Sequence, residues 1–354
     1  MCVIAGYIGS KQAAPILLEM LQREEGLGGG YYSGIATIHE GKLYYEKLVG
    51  DTANLLQNTR ALELPGSIGI AHSRTKSGGG REWGHPFVDT KNQLAYIANG
   101  AVGIFDNLPL LTELSEKLVT DGHRFLSAQD GAMGKYPQLK NGQSVHFSDT
   151  FCQAIAAAYE RFAAEPHPLL TAASQTYQSY PNEIVGLCLH AAHPDEIVAV
   201  RHNQPCEIGR NSEGEIYLAT TTIAFPSDVC WQTRMPAQAG ALFHRDGSIM
   251  IEPFRKKPIP IGPFPSPSAI QSAIQPLLQS TEAPTLGALC DAVKPLWPQG
   301  TLNEKAIAIY ETLASMIAEN RIELKDKRVP GVEAETTVPQ TRVHRMKLSE
   351  QKYF

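Results

Sequence analysis

The chain has 354 residues, 43% of them hydrophobic and 19% charged, with a formal net charge of -5. This length is a prior of about two domains with material for a sizeable core, and the mild negative charge gives no global pull toward nucleic acid or an anionic membrane. No apolar run approaches the roughly 18 residues that span a bilayer, no basic region precedes the opening apolar stretch, and the six cysteines form no Cys-x-x-Cys pair, so a reduced, cytoplasmic setting is expected, with no metal and no organic cofactor.

Residues 3–8 are an apolar run ending at Gly9, the pattern of a buried strand. Helical spacing of Ile16, Leu17, Met20 and Leu21 predicts a helix over 14–22. Strands are predicted at 34–39, 42–49 and 67–73, then strand, tight Asn99-Gly100 turn and strand over 94–105. Helices at 108–120 and 149–162 follow. Further strands are read in EIVGLCLHA, EIVAVRH, EIYLATT and the pair around Asp246-Gly247, a strong hairpin signal. Strands in series with helices before and between them suggest two facing sheets with helices outside, an α/β architecture. Five prolines between 258 and 267 form a stiff linker over 256–268. Beyond it, 269–354 reads as a small helical unit. Thr285 caps a helix toward Val293, 302–319 is helical, and a strand at 321–324 and a basic turn at 325–328 follow. That order is winged-helix-like, and fits any small helical cap as well.

Cys2 carries the chemical argument. Removal of Met1 gives Cys2 a free α-amine with an intrinsic pKa of about 7.7–8, a base on the same residue as the thiol. Thiol and N-terminal amine together are one way to activate a nucleophile for acyl transfer. The bland alternative is a small buried residue at a strand start.

Five ordered blocks, MCVIAGYIG, GYYSGIAT, GIAHSRTKSGGGREWGHPF, ANGAVGIFDN and FSDTFCQAI, resemble the class II glutamine amidotransferases, most closely the glutaminase domain of glucosamine-6-phosphate synthases. They cover about residues 2–255. The resemblance implies a four-layer αββα N-terminal-nucleophile (Ntn) hydrolase sandwich that releases ammonia from glutamine through a Cys2 thioester. It implies that Asn99 and Gly100 form the oxyanion hole, that Arg74 holds the α-carboxylate and that Asp149 takes the α-ammonium. Ser77, in a glycine-rich loop that closes over the substrate, and His85, in a structural role, complete the pocket. Locally, Asn-Gly also reads as a plain hairpin turn, and Ser148-Asp149-Thr150 as a helix cap. Val3, Tyr32, Thr75, Ser77, Gly78 and Ala98 depart from the family pattern, so the pocket rim differs while the nucleophile and the hole remain.

The last third is too short for the acceptor domains of such synthases at ordinary domain sizes. The ammonia acceptor is then expected on another chain, or absent. Residues 256–354 hold 12 Lys and Arg against 10 Asp and Glu, far from a nucleic-acid footprint despite the cluster Arg342, Arg345 and Lys347. Two other readings stay open: a catalytically silent glutamine sensor or scaffold, and an Ntn hydrolase for another γ-glutamyl or acylamino compound.

Overall fold

The computed structural model describes residues 2–346, so Lys347 of the basic cluster lies outside the described residues. Strand Val3–Ile8 sits at the centre of a seven-stranded antiparallel sheet, between Ile216–Ala219 and Ile68–Arg74. Both of its faces are buried, which is why it reads as an unbroken apolar run. Ile4 and Ile8 join Ile68 and Ile70 in a core that faces the second sheet. Val3, Ala5 and Tyr7 point the other way, beneath helix Ala13–Glu24, whose Leu17, Leu18 and Leu21 cover them. Each such buried Ile or Leu contributes roughly 1.5–3 kcal/mol of transfer free energy.

The second sheet has six strands in the order Ile249–Pro253, Ala239–His244, Glu196–Arg201, Glu183–His190, Leu94–Ala101 and Phe87–Val88. Its outer face packs under helices Phe147–Arg161 and Pro168–Ser179. The layers are helix, sheet, sheet, helix: a four-layer α/β sandwich. The Asp246-Gly247 hairpin joins two strands of this sheet, with Gly247 at φ 85°.

The structure corrects several sequence expectations. There is no hairpin at Asn99-Gly100. Leu94–Ala101 is one continuous strand, registered with Glu183–His190 so that Asn99 faces Val185 and Gly100 faces Ile184. Tertiary pairing overrides the local turn signal, and Gly100 answers it only with φ 135°. Helices Thr52–Asn58 and Pro168–Ser179 and strands Glu207–Asn211 and Val229–Arg234 were not anticipated. The first is announced by Asp51, whose carboxylate accepts the Asn54 N–H at 3.0 Å as an N-cap.

The C-terminal unit consists of helices Pro267–Leu278, Leu286–Val293 and Lys305–Ala318 and the hairpin Ile322–Pro330/Thr337–Arg345. Thr285 caps the second helix as read. The expected basic turn at 325–328 is instead the middle of a strand. Its polar side chains stay at the surface while Ile322 and Val343 are buried. The unit packs on the sandwich: Leu27 joins its core, Thr341 donates its N–H to Gly26 O, and Glu304 pairs with buried Arg201.

Candidate active site

Strand alternation puts Cys2, Ile4 and the paired His72 on the face turned toward the second sheet. Asn99 approaches from that second sheet. The Cys2 nitrogen donates to Asn99 Oδ1 at 3.1 Å. This fixes the amide so that Asn99 Nδ2, buried and without a partner among the described residues, is a free donor. A buried unpaired N–H₂ is costly unless a ligand accepts from it. A Cβ at Gly100 would meet the Glu183 carbonyl oxygen at 2.1 Å, so only glycine fits beside it.

The thiol is flanked by Thr75, whose N–H donates to Sγ at 3.5 Å and whose hydroxyl lies 3.6 Å away. Burial by itself opposes ionisation of Cys2. The adjacent His72 ring, the positive chain terminus and the Thr75 N–H outweigh it and bring the thiol down to about 6. A thiol so placed is substantially thiolate at neutral pH. His72 was missed in the sequence reading. It lies inside the GIAHSR block, two residues from Arg74 on the same strand face, and that period-2 pattern was the available signal. Its Nε2 is 2.9 Å from the Ala98 carbonyl oxygen, an acceptor, so Nε2 carries the proton. The ring lies against His85, tilted by 38° with centroids 3.9 Å apart.

A cavity of about 510 Å³ opens from Cys2 and is lined by Arg74, Ser77, His85 and Gly100, with Tyr136 and His146 among its other walls. Arg74 is fully buried. It donates to Gly78 O at 3.1 Å and to the Tyr136 hydroxyl at 3.2 Å, and its guanidinium lies 4.6 Å from the Tyr32 ring. Tyr32, which departs from the family pattern, also donates its hydroxyl to Gly78 O and Gly79 O. Arginine and tyrosine thus hold the glycine-rich loop down over the cavity. The Val3 departure points into the helix-side core and away from the site.

His85 is buried with neither ring nitrogen paired among the described residues. Burial, with His72 and His146 beside it, holds it well below the ordinary imidazole range, so it is neutral. His146, also missed, is the N-cap of helix Phe147–Arg161: its Nδ1 accepts the Ser148 N–H at 3.1 Å. The cap is therefore His146, and Asp149 lies inside the first turn.

Asp149 does not line the cavity. One of its oxygens accepts from the Ser127 N–H and hydroxyl at 2.9 and 2.8 Å, and the other from Gln153 at 3.4 Å. Burial outweighs these bonds and raises its carboxyl to about 6. Because the folded value lies above the unfolded one, the contribution of this carboxyl to stability is fully present below about pH 4 and is lost as pH rises through 6. Asp149→Asn should flatten that fall, by up to about 3 kcal/mol in denaturant midpoints compared at pH 4 and pH 7. An unchanged pH profile would show that the carboxyl is not held in this way.

No known family profile matches the chain. Glutamine–fructose-6-phosphate aminotransferase (isomerizing) of Thermosynechococcus vestitus is 32% identical over 227 residues, 63% of this chain and 32% of that protein. The protein of the same name from a Nostoc species is 34% identical over 230 residues, again 63% and 32%. The chain thus spans about a third of the length of these relatives. In fold, it superposes on glutamine phosphoribosylpyrophosphate amidotransferase from B. subtilis with a TM-score of 0.57 and 18% identity, over 88% of this chain and 64% of that one. Sequence likeness and fold agree: over about two thirds of its length the chain is similar to the glutamine-using aminotransferases named above, and it shares the fold of the phosphoribosylpyrophosphate amidotransferase, as the resemblance to the class II glutamine amidotransferases implies.

Proposed function

We propose that this chain hydrolyses the side-chain amide of glutamine, with Cys2 as the N-terminal residue after Met1 is removed. The observation that carries the reading is a cavity that Cys2 shares with Arg74 and Gly100, with the free Asn99 Nδ2 held beside it by the bond from the Cys2 nitrogen to Asn99 Oδ1. Arg74 and Lys135, both on its wall, supply the positive charge that a bound α-carboxylate needs. The Cys2 thiolate attacks the amide carbon, and Asn99 Nδ2 and the Gly100 N–H take the developing oxyanion. The α-amine, whose nitrogen is already oriented by Asn99 Oδ1, passes a proton to the departing ammonia. Water then attacks the thioester, glutamate leaves and the thiol is restored.

A second reading is favoured by the position of Asp149. With its carboxylate engaged by Ser127 and Gln153 beneath the cavity, Asp106 is the carboxylate on the cavity wall. An acylamino compound, or a γ-glutamyl compound whose α-ammonium meets Asp106 in place of Asp149, suits that wall. The test is glutamate release from glutamine by protein whose intact mass shows loss of Met1, beside a panel of other amides. Glutamate as the main product supports the first reading. Turnover of other amides alone supports the second, and no turnover of any amide by processed protein contradicts both.

A further inference from the structure

A second cavity, of about 300 Å³, meets Cys2, Asn99 and Gly100 and adjoins the first through Cys2, Thr75 and Gly100. Its other wall comes from the C-terminal unit, through Lys294 and residues 303–306. The nucleophile therefore lines both chambers, and the C-terminal unit forms part of the second. The volume is at the lower end of the range for small-molecule sites.

Asn203 fixes the chemistry of this chamber. It is 1% exposed, and its Nδ2 donates to Glu183 Oε1 and to Asn303 O, both at 2.9 Å. With the amide nitrogen used twice, its Oδ1 is the free end, buried and without a partner among the described residues. An amide oxygen only accepts, so a group that reaches it from the chamber must be a donor. The nearby carboxylates are already engaged, Glu183 Oε2 by the Ile104 N–H at 2.8 Å and Glu304 by Arg201. They keep the chamber hospitable to N–H groups. Lys294 and Lys305 add positive charge on the C-terminal wall, Lys305 also donating to Asp291 at 3.0 Å.

We propose that this chamber binds a small primary amine carrying an anionic group, of amino-acid size, as an acyl acceptor. The proposal rests on the thioester reading above. The neutral amine, its N–H directed to Asn203 Oδ1, attacks the thioester carbonyl carbon. A C–N bond forms and the C–Sγ bond breaks. Sulfur leaves as thiolate, and the proton lost by the amine passes to the Cys2 α-amine. The product is a γ-glutamyl amide in place of glutamate, and no oxidant or reductant is involved.

The experiment incubates the processed full chain with glutamine and glycine and measures γ-glutamylglycine and glutamate by mass spectrometry. Wild type should form the adduct with saturable dependence on glycine, and methylamine should be a poorer acceptor. Asn203→Leu should lower the adduct-to-glutamate ratio roughly tenfold, the loss of one hydrogen bond, while glutamate formation without glycine persists. Lys294→Glu, at an exposed position that leaves folding intact, should raise the glycine concentration for half-saturation several-fold. Glutamate release with no adduct, or an adduct ratio indifferent to both variants, overturns this inference and leaves the glutaminase reading standing. No glutamate and no adduct overturns both.

Discussion

Replacing Cys2 with alanine should lower glutamate release by at least about 10⁴-fold, the scale seen when a covalent nucleophile is removed, with far-ultraviolet dichroism and thermal midpoint little changed. Val3–Ile8 is buried on both faces at the centre of its sheet, so the residue before it is held by a rigid element. The thiol there is lowered to about 6 against the opposing effect of burial, through His72, the chain terminus and Thr75. Alkylation by iodoacetamide should therefore fall off as pH drops through about 6 in wild type. His72→Ala should move that midpoint upward toward the ordinary thiol range, because burial remains while its main counterweight is gone. A purely structural role for His72 would lower stability and leave the alkylation midpoint in place.

Asn99 should show the second largest effect, about 10²–10³-fold in kcat with little change in KM. Its two ends do different work, and two variants separate them. Asn99→Asp keeps an oxygen for the Cys2 nitrogen but removes the Nδ2 donor that is free in the structure, so it should lose the oxyanion contribution almost in full. Asn99→Ala removes both and should also loosen the Cys2 nitrogen, broadening the pH profile of the reaction. Equal activity of Asn99→Asp and wild type would remove the side chain from the oxyanion hole.

Much of the fold was legible because it rests on short-range pattern. The strands at Lys42–Val49 and Val3–Ile8 and the helix at Leu108–Thr120 carry their hydrophobic period on the surface of the sequence. Where long-range pairing decides, the sequence misled. Asn99-Gly100 has the composition of a turn, yet its strand continues because Glu183–His190 lies alongside. The Lys325–Arg328 run looked like a turn because of its charges, and a partner strand at Thr337–Arg345 makes it extended.

The site divides in the same manner. Cys2, Arg74, Asn99 and Gly100 could be named from ordered motifs. His72, His146 and Asn203 could not be weighted, because their importance comes from what faces them across the sheets or across to the C-terminal unit. Asp149 shows the converse: a motif position was legible, but its engagement by Ser127, a residue outside every motif, was not.

The most direct test of the account is covalent trapping. Protein is treated with a chloroketone analogue of glutamine, digested, and its peptides are mapped by mass. The account predicts one adduct, on a peptide that begins at Cys2, suppressed by excess glutamine, with the exposed Cys230 unmodified. Retained Met1 on the reactive chain, or labelling at Cys230 with Cys2 untouched, would contradict it.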